Sequence, residues 1–143
     1  MNNKLGYTLI EVMIALFLIS MGAITFTAMM PMAAKGSRMV SNYQQASSLA
    51  QNKIDEIRAV GYGRIDYTDL LAASIIDSSP TASPYSFTGV GALATIFPGA
   101  SGTITVTDFT TTIKQVSVTV SWAGSGIKQD QGTLTAVALV ART

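Results

Sequence analysis

The feature that most constrains the fold is a long uncharged segment close to the start of the chain. The 23 residues at positions 12–34 carry no charge, and Glu11 is the only charged residue between positions 5 and 34. As an α-helix this segment would extend about 35 Å, which is enough to cross a hydrocarbon core of about 30 Å. A helix of a soluble core normally keeps a polar face, and this segment has none. The pattern therefore predicts a membrane-spanning helix.

The remaining composition narrows the function classes. Charged residues make up 12% of the 143 residues, and the formal net charge is +1. This balance is too close to neutral for nucleic-acid binding driven by bulk charge, and the chain contains no basic run. We therefore predict no nucleic-acid partner, and expect one globular domain in addition to the span.

The chain contains neither cysteine nor histidine. This excludes a disulfide framework, thiolate or imidazole metal sites, and nucleophilic catalysis by Cys–His or Ser–His–Asp. The adjacent acids Asp55 and Glu56 would point to different sides of a helix, and no other acidic pair suggests a carboxylate dyad. The sequence also lacks the phosphate-binding loop of ATPases. We therefore expect no enzymatic activity, no metal and no cofactor.

Three interpretations of the apolar segment compete. A secretory signal peptide would have a hydrophobic region of about 7–15 residues before a small-residue cleavage site, and positions 32–34 match such a site poorly. A plain single-span anchor is the second interpretation. The third depends on the residues before the segment, where a short polar leader, MNNKLG, ends in Gly6 and is followed by Tyr7 and, after three residues, by Glu11.

This arrangement resembles the class III prepilin signal of type IV pilins and type II secretion pseudopilins. In that family a glycine precedes the cleavage site, an aromatic residue, usually Phe, follows it, and a glutamate is the fifth mature residue. Gly6, Tyr7 and Glu11 occupy these places, and the clear resemblance covers roughly positions 1–62. It implies cleavage after Gly6 by a prepilin peptidase and N-methylation of Tyr7 by the same type of enzyme.

The resemblance also implies the location and partners of the mature chain. The apolar helix would be retained, would lie among the lipids of the bacterial inner membrane, and would later form the core of an extracellular or periplasmic filament. The expected partners are other pilin or pseudopilin subunits and an inner-membrane assembly platform. A cytoplasmic N-terminus before assembly follows from the resemblance alone, because Lys35 and Arg38 follow the span while only Lys4 precedes it.

Glu11 is the residue with the sharpest functional hypothesis. An acid at the centre of a bilayer costs about 2.5–3.5 kcal/mol on insertion scales, so it is expected to have a partner. The resemblance implies that this partner is the amine of Tyr7 on a neighbouring subunit, and that the pair sets the axial register of the subunit in the filament. The alternative is that Glu11 lies at headgroup level and only reaches towards water.

The helical pattern continues beyond position 34. Residues at steps of three and four predict a semi-apolar stripe. The stripe consists of Val40, Tyr43, Ser47, Ala50, Ile54 and Ile57. Gly61 is the expected end, with Arg58 in the last turn, so the helix should run from Tyr7 to about Val60. Gly22 and Pro31 interrupt it and predict either a kink or, by analogy with the family, local unwinding on assembly.

The C-terminal part predicts a sheet. Positions 62–102 should form an irregular connector that holds a short helix within 65–77 capped by Thr68 or Asp66, a turn-rich loop at 78–86 and a short strand near 85–88. Strands are predicted at 103–109, 113–122 and 134–141, with alternate valines and Trp122 on the buried face of the second. The expected fold class is α+β and type IV pilin-like, in which the long helix packs on an antiparallel sheet of three or four strands.

The predicted organisation is a leader peptide at 1–6, a hydrophobic transmembrane or filament-core helix at 7–34, its amphipathic continuation at 35–61 and a globular head at 62–143. The strand pair and its glycine-rich connection also resemble, more loosely, PilV-type minor pilins and the I-type minor pseudopilins of type II secretion. The resulting expectation is a minor pilin or pseudopilin that acts in filament assembly. The alternatives are a major pilin and a membrane-anchored exported binding module.

Overall fold

The structure, a computed structural model, describes residues 8–91, 93–97, 99–123 and 131–142. A long helix comes first and an antiparallel sheet comes last, which is the α+β, pilin-like layout expected from the sequence. The elements in chain order are α1 (Leu9–Val60), a 3-10 helix (Tyr62–Arg64), α2 (Tyr67–Ala72), β1 (Tyr85–Ser86), α3 (Leu93–Ile96), β2 (Ser101–Thr110), β3 (Ile113–Trp122) and β4 (Gly132–Ala141).

Contacts divide the chain into two units, one ending at Val40 and the other beginning at Ser41, and each is described by itself. The described residues of the first unit are Thr8 and the N-terminal part of α1. The second unit contains the C-terminal part of α1, the connector and the sheet, and we call it the head.

Helix α1 ends where the sequence predicted. Gly61, directly after Val60, has a φ of 90°, and its N–H donates to the carbonyl of Arg58 at 3.1 Å. A left-handed φ costs glycine little because it has no Cβ. The helix therefore stops at a residue suited to reverse the chain, with Arg58 in the last turn as expected.

The buried stripe of α1 is only partly the predicted one. Ala50, Ile54 and Ile57 are buried, as expected. Val40 and Tyr43 are exposed instead, so the buried stripe begins at Ala46, nearly two turns later than predicted. Lys53 is also buried, which its charge made hard to anticipate. The helix therefore adds a small-residue and aliphatic face to the core of the head.

The sheet is a four-stranded meander in the order β1-β2-β3-β4, and all neighbouring strands are antiparallel. Strand β3 has the predicted bounds, and its residues Val116, Val118, Val120 and Trp122 are buried, as predicted. Strands β2 and β4 each begin two residues earlier than expected. Most of the long connection predicted at 123–132 lies outside the described residues.

A single hydrophobic cluster joins the head part of α1, the connector and the inner face of the sheet. Its largest fully buried side chains include Phe87, Ile57 and Leu70. Trp122 stacks on Phe97 at a centroid distance of 5.4 Å and meets the edge of Tyr43 at 5.0 Å. These contacts fix one tryptophan face inside the head, so Trp122 is a core residue.

The connector contains the predicted short helix, loop and strand. Asp66, and not Thr68, caps α2, because its side chain accepts a hydrogen bond from the Asp69 N–H at 2.9 Å. The 3-10 helix and α3 were not predicted, since three- and four-residue helices are too short to show a hydrophobic period.

Candidate assembly segment

The first unit is a helix whose apolar side chains are exposed on every side. All of its described residues before Lys35 are exposed, and they include large side chains such as Leu16, Phe17 and Phe26. By length and composition α1 contains a stretch able to cross a membrane, and none of that stretch is buried within the described part of the chain. Such a surface is unfavourable in water, at roughly 25 cal/mol per Å² of apolar area. It therefore requires either lipid or other subunits around it.

The start of α1 is built around Thr8 and Glu11. The Thr8 carbonyl accepts the N–H of Glu11 at 3.0 Å, and the Thr8 hydroxyl oxygen lies 3.4 Å from the same nitrogen. A threonine followed three residues later by a glutamate is the capping-box pattern, and an acid in the first turn is also favoured by the helix dipole. The sequence analysis missed the role of Thr8 as a cap, although the T-x-x-E spacing at 8–11 signals it.

The carboxylate of Glu11 is exposed, and among the residues described it has neither a hydrogen-bond donor nor an ion-pair partner. Gly6 and Tyr7, which the sequence placed at the cleavage site, lie outside the described residues. The predicted pair between Glu11 and a neighbouring Tyr7 amine therefore stays a prediction.

Gly22 and Pro31 both lie inside the continuous helix α1. Pro31 has no N–H to donate to the Thr27 carbonyl one turn earlier. Hydroxyl groups nearby bond back to the preceding turn: Thr25 donates to the Gly22 carbonyl at 2.9 Å, and Thr27 donates to the Ala23 carbonyl at 2.8 Å. Such bonds satisfy hydroxyls in an apolar environment. The predicted unwinding concerns the assembled filament and stays a prediction.

The comparison of the chain with protein-family models gives a match in this same segment. Residues 1–27 match the model of the prokaryotic N-terminal methylation motif. The chain carries a class III prepilin signal. No curated protein and no solved structure matches the chain significantly.

This signal and the fold agree with each other. The methylation motif occupies the beginning of the apolar helix, and the head shows the helix-on-sheet layout of a type IV pilin-like protein. The motif is typical of exported proteins of the type IV pilin or pseudopilin type. It implies processing by a prepilin peptidase and assembly with other pilins, and the apolar helix fits membrane anchoring followed by a place in a filament.

In the part of the chain that the structure describes, no group of three or more acidic side chains could hold a metal ion. A cleft of about 630 Å³ is lined by Tyr62 and by the cations Arg64, Lys114 and Arg142. Arg64 donates two hydrogen bonds to Asp69, at 2.9 and 3.2 Å, and this pairing holds the pKa of the Asp69 carboxyl below its ordinary value.

Proposed function

We propose that the chain is cleaved between Gly6 and Tyr7, N-methylated on Tyr7, and assembled as a minor pilin or pseudopilin of a type IV pilus-like filament. The observation that carries the proposal is the coincidence of the methylation motif with a fully exposed, apolar segment of α1, residues 9–34, that holds a single acid. Before assembly the subunit would span the inner membrane with its N-terminus in the cytoplasm.

Glu11 would act through charge. Cleavage after Gly6 creates an amine on Tyr7, four residues before Glu11. The exposed carboxylate has no described partner within its own chain, and an ion pair in apolar surroundings is strong when it is formed and costly when one member is missing. A pair with the amine of a neighbouring subunit would therefore favour one axial register over the others.

Replacements of the Glu11 side chain test this role directly, because the contact with the Thr8 hydroxyl uses only the backbone N–H of Glu11 and is kept in each variant. Glutamine has the size of glutamate and a hydrogen-bonding oxygen, but it carries no charge. Glu11→Gln therefore removes the charge alone, whereas Glu11→Leu removes both the charge and the polar group. Ile10→Leu, on the neighbouring exposed position, is the matched control.

The measurement is the fraction of each variant recovered in sheared filaments relative to the membrane. If the charge sets the register, Glu11→Gln and Glu11→Leu should both fall well below the wild type, while Ile10→Leu stays close to it. If Glu11→Gln is incorporated like the wild type, the charge of Glu11 does not set the register and the proposed pair is contradicted.

Processing is tested independently by the intact mass and N-terminal sequence of the chain purified from its native host. We expect a chain that begins at methylated Tyr7. A Gly6→Val variant should keep the leader, because a bulky side chain blocks access to the backbone at the cleavage site. A wild-type chain that still begins with Met1, or that begins beyond Ala34, contradicts the proposal.

The amount of the chain distinguishes a minor from a major subunit. A minor pilin should be present at a small fraction of the main filament protein in sheared preparations, whereas a major pilin would itself be the main band. A membrane-anchored binding module would be absent from filaments even when its leader is removed.

A further inference from the structure

The two edges of the sheet differ in how their backbone groups are used. At the β1 side, Tyr85 pairs with Ile104 of β2. Beyond this short pairing, the Gly102 N–H donates to the Thr88 hydroxyl at 3.1 Å, and the Val106 N–H donates to the Ser83 hydroxyl at 3.0 Å. The connector therefore closes this edge of the sheet between Gly102 and Val106, with both a strand and side-chain acceptors.

The register shows which groups lie on the opposite edge. Because the N–H groups of Gly102 and Val106 face the closed edge, the alternating residue Thr103 bonds to β3 and pairs there with Thr119. Thr119 thus faces β2, so its partner Thr135 on β4 points its backbone groups away from the sheet. The same holds for every second residue of β4, namely Thr133, Thr135, Val137, Leu139 and Ala141.

This edge is open in the part of the chain that the structure describes. No described residue bonds to the outward backbone groups of β4, and the bond from the Arg142 N–H to the Thr112 carbonyl, at 2.8 Å, agrees with the alternation. Charged side chains and prolines commonly protect an edge strand from pairing with another chain. The ten residues of Gly132–Ala141 include neither. Val137 and Leu139, with exposed fractions of 57% and 50%, add apolar surface beside the edge.

We propose that β4 pairs in antiparallel fashion with β4 of a second copy of this chain, centred on Val137, so that two heads share one eight-stranded sheet. A second copy offers the same open strand, whereas the connector closes the opposite edge of its sheet between Gly102 and Val106. Centring on Val137 brings all five outward residues into register: Val137 meets Val137, Thr135 meets Leu139, and Thr133 meets Ala141. No charge meets a like charge, and both exposed apolar side chains gain a neighbour across the junction.

The pair is self-complementary and therefore closes at two copies. It does not depend on the proposed filament role, because it rests on the edge of the head and not on the N-terminal segment. An edge-to-edge junction buries less than the roughly 1,200–2,000 Å² of a standard stable interface, so the association should be weak and should increase with concentration.

The absence of native cysteine allows a direct test by single-cysteine cross-linking of the full chain in detergent micelles. Opposed residues of a hydrogen-bonded antiparallel pair have Cα atoms about 5.5 Å apart, which lies within the range that a disulfide bridges. Val137→Cys should therefore form disulfide dimers under mild oxidation. Thr107→Cys, exposed on the same face of the sheet but on β2, is the control for random collisions.

The register gives a second expectation. A mixture of Thr135→Cys and Leu139→Cys chains should cross-link more than either chain alone, because these two positions face each other. Val137→Cys dimers that are no more abundant than those of Thr107→Cys would overturn the proposal. Equal cross-linking of the mixed and separate chains would overturn the register and, with it, the pairing centred on Val137.

A disruptive variant tests whether the backbone makes the contact. Adding Leu139→Pro to Val137→Cys removes an N–H that points outwards, so the bonds from β4 to β3 can remain while dimer formation should fall to the Thr107→Cys level. Trp122 fluorescence verifies the fold. If this variant does not fold, Leu139→Lys, which keeps the backbone and adds charge to the edge, should give the same loss. Undiminished cross-linking in the folded variant would contradict strand pairing.

Discussion

The ion pair between Lys53 and Glu56 predicts different changes in the stability of the head, depending on which of the two partners is replaced. The ammonium group of Lys53 lies 2.7 Å from a carboxylate oxygen of Glu56, one turn along α1. The Lys53 side chain is only 4% exposed, whereas that of Glu56 is 47% exposed. The ammonium nitrogen of Lys53 also lies 6.0 Å from the centre of the Phe87 ring. The lysine is thus desolvated, while its counter-ion remains in contact with water.

The different exposure of the two side chains determines how much each replacement should change the free energy of unfolding. Removing one member of a fully buried pair costs about 3–5 kcal/mol, and removing one member of an exposed pair costs about 0–1 kcal/mol. Glu56→Gln, which leaves Lys53 buried without its counter-charge, should therefore lower the free energy of unfolding by about 1–3 kcal/mol. Lys53→Met removes the desolvated charge and keeps a flexible chain of similar length, so it should be neutral or stabilising.

The assay is chemical denaturation of the full chain in detergent micelles, followed by fluorescence of Trp122. This residue is the only tryptophan of the chain and lies in the core of the head, so it reports head unfolding without interference from the apolar helix. The control is the double variant, in which Glu56→Gln should have almost no further effect once Lys53 is Met. If Glu56→Gln costs the same in both backgrounds, the two side chains are not coupled and the reasoning is refuted.

Three further predictions concern the head. Ile57→Ala, at a fully buried position, should cost about 2–5 kcal/mol in the same assay, against about 0.5–1.5 kcal/mol for Ile57→Val. Gly102→Ala would place a Cβ 2.5 Å from ring atoms of the fully buried Phe87, so it should cost about 1–3 kcal/mol, and an unchanged denaturation midpoint would contradict this contact. Because Arg64 lowers the pKa of Asp69 in the folded state, the pair stabilises the head above the carboxyl's ordinary pKa and loses this contribution as the pH falls through the lowered one. Asp69→Asn should therefore reduce acid-induced destabilisation, an effect that is small because the pair is exposed to solvent.

The parts of the fold that were predictable have strong local signals. The alternation of valine with polar residues gave the bounds and buried face of β3, and Gly61 gave the end of α1 because it adopts a positive φ that other residues avoid. The buried stripe was displaced at its start, since Val40 and Tyr43 fit the helical period as well as the residues that are buried. Periodicity indicates which side chains share a face, but not how far the core extends along it.

The parts that were missed depend on tertiary context. Lys53 is buried because its aliphatic side chain packs near Gly91 and its ammonium group pairs with Glu56. Neither contact can be predicted from the position of a charged residue in a helical pattern. The capping contact between Thr8 and Glu11 was readable from its spacing, but the prepilin motif had already accounted for the same acid. The open edge of β4 followed only from the register and from the hydroxyl acceptors of the connector.

If the chain assembles as proposed, the apolar surface of the first unit also affects the energetics of leaving the membrane. Lipid tails and the side chains of neighbouring helices are similarly poor in polar groups, so the move from bilayer to filament would be a transfer between two apolar environments. The hydrophobic effect, which drives most protein association in water, would then contribute little to the choice between them. Correct placement in the filament would depend instead on shape complementarity and on the few polar atoms of this segment.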